Sequence, residues 1–146
     1  MARIWTSGFF QKPAYIEIAK NIKVNDMKVA YVVLYVQDEK TSVDFWTQQV
    51  GMKIKKSTQA DGFQINQVGF ADQDFSFELV PLAFMEKHES SMNTKTPSIC
   101  FHAKDLTIMR DKLIASNVTV TEISDHFGIK NFAFSDPAGN WFAVIE

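Results

Sequence analysis

The chain has 146 residues, of which 46% are apolar and 22% charged, and its formal net charge is −2. A chain of this length can bury the core of one domain or of two small fused modules. Its basic residues are scattered, which argues against a nucleic-acid partner, and no apolar run reaches the roughly 20 residues that cross a bilayer. The single cysteine, Cys100, favours a reducing, cytoplasmic compartment.

Residues 1–27 are predicted to form an N-terminal arm or extension. The segment MARIWTSGFFQKPAYIEIAKNIKVND is too rich in apolar residues for a solvated tail and too often interrupted by charge for a signal peptide. Pro13 suits the first turn of a short helix over Ala14 to Asn21. We expect the arm to pack on its own domain or on a partner subunit.

Residues 28–81 read as a β-α-β-β-β module. VAYVVLYV is a β-branched and aromatic run of strand length, and Val43, Trp46 and Val50 then recur at helical spacing before Gly51. Three alternating strands are predicted in MKIKKS, FQINQVGF and DFSFELV.

The same order returns in residues 97–146, after a polar linker over 82–96. PSICFHA predicts a strand, DLTIMRDKLIASN a helix, and VTVTEI, GIKNFAFS and NWFAVIE three more strands. Asp38 and Asp105 occupy matching places as helix N-caps. Since neither module can bury its sheet alone, we predict an α+β fold in which both modules form one curved mixed sheet, with a concave cavity and the helices outside.

The pairing of VQDEKTSVDFWTQQVGMK with a C-terminal FSDPAGNWFAVIE resembles the vicinal oxygen chelate superfamily, over Met27 to Glu146. This superfamily holds glyoxalase I, extradiol dioxygenases, fosfomycin resistance enzymes and bleomycin resistance proteins. The resemblance implies that the concave sheet lines a ligand cavity. It also implies that the modules associate within one chain or are exchanged between two, and together with the apolar arm it predicts a homodimer.

The metal enzymes of the superfamily place one ligand on the first and last strand of each module. The matching positions here are Tyr31, Glu78, Ser98 and Ala143, of which only Glu78 is a conventional ligand. A divalent ion needs about three or four N or O donors. We therefore expect no metal and no other cofactor, and no catalytic residue is assigned.

Strand alternation divides the side chains into two faces. The inward face is predicted to hold Tyr31, Val33, Tyr35, Ser76, Glu78, Val80, Ser98, Cys100, His102, Asn131, Ala133, Trp141, Ala143 and Ile145. The opposite face, which is almost wholly apolar, is predicted to pack beneath the helices. From the inward set, the candidate ligand-binding residues are Tyr31, Tyr35, Glu78, Ser98, His102 and Trp141.

Some inward residues also have a purely structural interpretation. Glu78 either contacts a ligand or makes a structural hydrogen bond, for example to Tyr31 or Ser98. His102 either joins Glu78 as an acid-base pair or is a hydrogen-bonded structural residue. Cys100 is predicted to be a small buried hydrophobe.

Three classes of function follow. The sequence favours a metal-free protein of the bleomycin-resistance type that binds a small aromatic or amphiphilic molecule. The first alternative is a metal-dependent lyase, dioxygenase or thiol transferase that uses non-standard ligands such as His102 or His126 with Glu78. The second is a scaffold with a vestigial cavity.

Overall fold

The structure is a computed structural model that describes residues 29–88, 90–91 and 93–146. The predicted N-terminal arm and its helix lie outside the described residues. The first module consists of β1 (Val32–Val36), α1 (Glu39–Asp44), a π-helical turn (Phe45–Gln49), β2 (Lys53–Ala60), β3 (Phe63–Gly69) and β4 (Phe77–Pro81). A helix, α2 (Leu82–His88), follows directly.

The second module repeats this order with one additional short strand. It consists of β5 (Cys100–His102), α3 (Leu106–Ala115), β6 (Thr119–Val120), the additional strand β7 (Ser124–His126), β8 (Ile129–Ser135) and β9 (Trp141–Ile145). The α+β class and the two predicted modules are thus confirmed. No helix in the described part of the chain is long and apolar enough to span a membrane.

The four strands of the first sheet lie in the order β1-β4-β3-β2, and those of the second lie in the order β5-β9-β8-β6, with β7 paired to β8. In each module the first and last strands run parallel, which places Val33 opposite Glu78 and Cys100 opposite Ala143. The β2–β3 hairpin turns at Asp61 and Gly62, both with positive φ, as a two-residue turn matched to strand twist requires. A β-bulge interrupts β2 between Ile54 and Lys56.

Both predicted helix N-caps are confirmed. Asp38 Oδ1 accepts a hydrogen bond from the Thr41 N–H at 2.7 Å, and Asp105 Oδ1 accepts one from the Ile108 N–H at 2.9 Å. Hydrogen bonds from Thr41 lower the pKa of Asp38, and the contribution of the Thr41 side chain is larger than that of its backbone. These caps satisfy N–H groups that have no partner inside the helix.

One hydrophobic core serves both modules. Trp46, from the π-helical turn, is fully buried, and its ring centroid lies 5.0 Å from that of Phe77 in the first sheet and 5.1 Å from that of Phe142 in the second. The predicted apolar face supplies most of this core, and Leu34, Phe77, Leu79, Phe132, Phe142 and Val144 are at most 3% exposed. The two sheets therefore turn their apolar faces toward each other.

This packing differs from the expected single curved sheet. The described strands form two separate hydrogen-bonded sheets. Because side chains alternate along a strand, the faces predicted to line one cavity point away from the shared core and hence away from each other. Alternation identified the apolar faces but carried no information about what covers them.

Two further elements were not predicted. α2 occupies part of the segment interpreted as a linker, where Leu82, Ala83, Met85 and the neighbouring charged residues are good helix formers and Met85 is buried. β7 lies between the predicted strands VTVTEI and GIKNFAFS, where no strand was predicted. It pairs with β8 through a hairpin whose turn residues, Phe127 and Gly128, both have positive φ.

Candidate functional site

The two outward sheet faces carry the predicted site residues. We call the first the Glu78 face, formed by Val33, Tyr35, Phe63, Ile65, Gln67, Glu78 and Val80. We call the second the Trp141 face, formed by Cys100, His102, Asn131, Ala133, Trp141, Ala143 and Ile145. Each face is a single side of one sheet.

The Glu78 face contains a row of polar side chains across three strands. Glu78 is half-buried, and its Oε2 accepts a hydrogen bond from Gln67 Nε2 on β3 at 2.8 Å. Lys56 of β2 lies opposite Gln67 in the strand register. No donor among the described residues reaches Glu78 Oε1. One carboxylate oxygen is thus held by the protein while the other can accept a hydrogen bond from a ligand.

α2 closes one end of the Glu78 face. Val80 lies on this face two residues after Glu78 and is only 6% exposed. Phe84 of α2 packs edge to face on Phe63 of β3, with the ring centroids 5.6 Å apart. The helix is also held at the β2–β3 turn, where Asp61 Oδ2 lies 2.6 Å from Lys87 Nζ and 3.1 Å from His88 Nε2.

The Trp141 face has small side chains at its centre. The register places Cys100, Ala143 and Ala133 side by side across β5, β9 and β8. Trp141 lies at one end of this group and is 51% exposed. At the other end, His102 lies in the same row as Ile145 and Asn131. An exposed indole beside such small side chains can stack with a planar apolar ligand.

His126 belongs to a separate polar group on β7 and β8. Its Nδ1 lies 3.1 Å from Asn131 Nδ2 and 3.3 Å from Ser124 Oγ. This group is in the second sheet, whereas Glu78 is in the first. One chain therefore does not bring His126 or His102 into a shared site with Glu78.

The six predicted ligand-binding residues divide into two trios. Tyr31, which precedes β1 and is 42% exposed, belongs to the first sheet with Tyr35 and Glu78. Ser98, which precedes β5, belongs with His102 and Trp141 to the second sheet. The structure thus distributes these residues over two faces, and the role of each stays a prediction.

Sequence reasoning missed two residues and misjudged one. Gln67, the hydrogen-bond partner of Glu78, and Phe63 share a strand face, and the alternation in FQINQVGF could have revealed both. The prediction that Cys100 is buried is wrong, because the thiol is exposed. Cys100 lies on β5, an edge strand of the second sheet, on the face that points away from the common core.

The side chains at the four family positions of one chain supply too few donors for a divalent metal ion. The four family positions offer a single carboxylate, from Glu78, together with Tyr31, Ser98 and Ala143. Among the described residues no group of three or more His, Cys, Asp or Glu side chains is placed to hold an ion. No metal-dependent step can be derived from these residues.

These features define an α+β protein of two repeated β-α-β-β-β modules, in which each sheet turns one face toward a common core and the other face away from it. A family model for the Glyoxalase/Bleomycin resistance protein/Dioxygenase superfamily matches residues 28–144, and the chain belongs to this superfamily. The resemblance seen in the sequence is thereby confirmed. No functionally curated protein matches the chain.

Several solved structures share the fold. TnmS3, an antibiotic binding protein from Streptomyces sp. CB03234, has a TM-score of 0.68 at 19% identity, covering 82% of this chain and 94% of its own. A superfamily member from Sphaerobacter thermophilus DSM 20745 has a TM-score of 0.69 at 21% identity, with coverages of 82% and 97%. A glyoxalase I mutant from Zea mays has a TM-score of 0.64 at 17% identity, with coverages of 81% and 44%. Identities this low show a common fold alone.

Proposed function

We propose that the chain is a metal-free binding protein that holds a small aromatic or amphiphilic molecule between the Glu78 face of one copy and the Trp141 face of a second. The observation that carries the proposal is that these two faces point away from the shared core, in opposite directions within one chain. A cavity lined by both therefore requires two chains. A symmetric homodimer would contain two such cavities.

The side chains of the two faces are complementary in chemistry. The Glu78 face offers a carboxylate oxygen that has no donor among the described residues, flanked by apolar Val33 and Val80. The Trp141 face offers a half-exposed indole above small residues. Small-molecule sites combine apolar and aromatic walls with a few polar groups that fix orientation. A planar ligand with a hydrogen-bond donor would satisfy both faces.

The edges of the sheets support the same arrangement. Among the described strands, β1 is an edge of the first sheet and β5 is an edge of the second. β1 borders the Glu78 face and β5 borders the Trp141 face, so a second copy can bring β1 and β5 together. The similarity in fold to TnmS3, an antibiotic binding protein, supports the class of ligand. The unpaired Cys100 is consistent with the proposed cytoplasmic location.

Fluorescence titration with bleomycin and with a planar anthraquinone tests the proposal. A ligand stacked on Trp141 should quench tryptophan emission and raise the melting temperature, and Trp141→Ala should remove the quenching. Ile108→Ala, at an exposed apolar residue of α3, is the matched control and should leave binding unchanged. Binding that survives both Trp141→Ala and Glu78→Gln would place the site elsewhere. No binding and no stabilisation by any planar compound would favour the scaffold alternative.

Light scattering over a micromolar dilution series tests whether two copies of the chain associate. The protein should be a homodimer, and a monomer at every concentration would contradict the shared cavity.

Elemental analysis separates the binding protein from the metal-dependent lyase, dioxygenase or thiol transferase. The purified protein should hold no stoichiometric Zn, Ni, Mn or Fe, because one carboxylate is too weak a site. One equivalent of metal that is lost in Glu78→Ala would overturn the proposal, and His102 of a second copy would then be the first additional ligand to test.

The triple change Tyr31→His, Ser98→His and Ala143→Glu should create divalent-metal binding, and only in the dimer.

A further inference from the structure

A cleft of about 650 Å³ lies between the two modules. One wall is the loop between β3 and β4, and the other is built from β5 and α3. Its main apolar lining residues are Phe70, Phe75, Ile99, Phe101, Met109 and Leu113. Ile99 and Phe101 share the core-facing side of their segment, whereas Cys100 and His102 belong to the Trp141 face and line the cleft as well. The cleft therefore reaches around the β5 edge of the second sheet, and Trp141 is not among its lining residues.

We propose that this cleft is a second binding site, which takes a small apolar molecule bearing one cationic amine. Its volume falls within the roughly 300–1,000 Å³ typical of small-molecule sites, and aromatic and aliphatic side chains supply most of its walls. The charge of its lining selects the ligand. Among the described lining residues Asp72 is the one carboxylate and neither Lys nor Arg occurs, while His102 lies on the opposite wall, on β5. An ammonium group beside Asp72 is stabilised there, whereas an anion is repelled.

The loop that carries Asp72 is held in place by several contacts. Lys55 Nζ donates a hydrogen bond to the Gln73 carbonyl, and the Gln73 N–H donates to the Phe70 carbonyl at 3.2 Å. Gly69, at the start of the loop, permits a close approach of the chain to itself. A Cβ at Gly69 would lie 2.5 Å from the Phe75 carbonyl oxygen, so a larger residue would push the loop away. Asp72 is therefore presented by a fixed loop.

The cleft also has a rigid floor. Phe101 packs against Phe70, with ring centroids 6.5 Å apart, and against Trp46 of the common core at 6.4 Å. Phe70 and Phe75 come from the first module, and Phe101 and Leu113 come from the second. A ligand in the cleft therefore contacts both modules at once, and its binding should stabilise their packing.

The neutral dye N-phenyl-1-naphthylamine, which brightens in apolar surroundings, tests the cleft in the full-length protein. The wild type should bind the dye saturably. Met109→Trp should fill the cleft and weaken dye binding by about tenfold or more, which corresponds to the loss of about 1.4 kcal/mol. Ile108→Trp is the matched control, since it introduces the same side chain at the neighbouring exposed residue, which does not line the cleft.

Octylammonium and octanoate, used below micelle-forming concentrations, test the charge of the ligand. They carry an eight-carbon chain and differ in the sign of the head group. Octylammonium should displace the dye from wild-type protein at a concentration about tenfold lower than octanoate, and Asp72→Asn should remove this difference. Asp72 is exposed, so this variant tests the site without disturbing the core.

Four results would overturn the proposal. They are the absence of saturable dye binding in the wild type, unchanged binding in Met109→Trp, equal displacement by the two amphiphiles, and loss of dye binding in Trp141→Ala. The last would assign the dye to the Trp141 face. Dye binding retained in Trp141→Ala and lost in Met109→Trp would support the cleft even if bleomycin and anthraquinone fail to bind.

Discussion

Mixing two inactive variants should restore binding if one cavity is built from two chains. Glu78→Gln damages one face and leaves the Trp141 face intact, and Trp141→Ala does the reverse. In a mixed dimer, one cavity combines the two damaged faces and the other combines the two intact faces. A cavity formed within one chain could not be restored in this way, because each chain would keep its own defect.

The expected recovery follows from the geometry. Random exchange of subunits in an equal mixture makes about half of the dimers mixed, and one of the two cavities in each is intact, so about a quarter of all cavities should regain wild-type affinity. Each variant alone should bind poorly. Loss of a hydrogen bond to a charged group costs about 1.5–3 kcal/mol, or roughly ten- to hundredfold in affinity.

Equilibrium dialysis at a ligand concentration near the wild-type Kd measures the number of recovered sites. The subunits should be exchanged in mild urea and the mixture then returned to buffer. The same variants mixed without exchange form the control and should show no recovery. Recovery that stays at the level of the separate variants, although mass spectrometry shows mixed dimers, would refute the two-chain cavity.

Three further predictions concern the fold that supports the site. Trp46→Ala should lower the free energy of unfolding by about 3–5 kcal/mol, measured by urea unfolding. Trp46→Phe should lower it less, because it keeps an aromatic ring in the core. It also removes an Nε1–H that has no acceptor among the described residues. Asp105→Ala should cost about 1 kcal/mol through loss of the α3 cap, and Asp105→Asn should be nearly neutral, since Asn caps equally well. Asp61→Asn should speed hydrogen exchange in α2 with little change in global stability, because an ion pair between half-exposed groups such as Asp61 and Lys87 contributes about 0–1 kcal/mol.

The strand faces could be predicted from the sequence because apolar and polar residues alternate along a strand whose two faces differ in burial. Phe77 and Phe142 are buried while Glu78 and Trp141 point outward, as alternation requires. The repeat of strand, helix and three strands was likewise readable, since matching Asp residues cap both main helices. These features depend on local geometry, which the sequence encodes directly.

The elements that cover those faces could not be predicted, because an apolar pattern shows that a face is buried but not which element buries it. An apolar face is satisfied equally by its own helix or by another sheet, and only the structure shows Trp46 in contact with both sheets. The π-helical turn that carries Trp46 also escapes a search for the 3.6-residue period. As a result, Glu78 and Trp141 lie on the outer faces that alternation predicts, but the single wall predicted for them is not formed by one chain.

The bulge in β2 affects how copies of this protein can associate through their sheet edges. β2 is the outer edge of the first sheet, and its sequence KIKKSTQA combines that bulge with three lysines. Charged side chains and bulges both hinder the addition of a further strand. β1, at the other edge, reads VVLYV and has neither obstacle. Strand pairing between copies is therefore discouraged at one end of the sheet and permitted at the other, which favours a closed assembly over a growing filament.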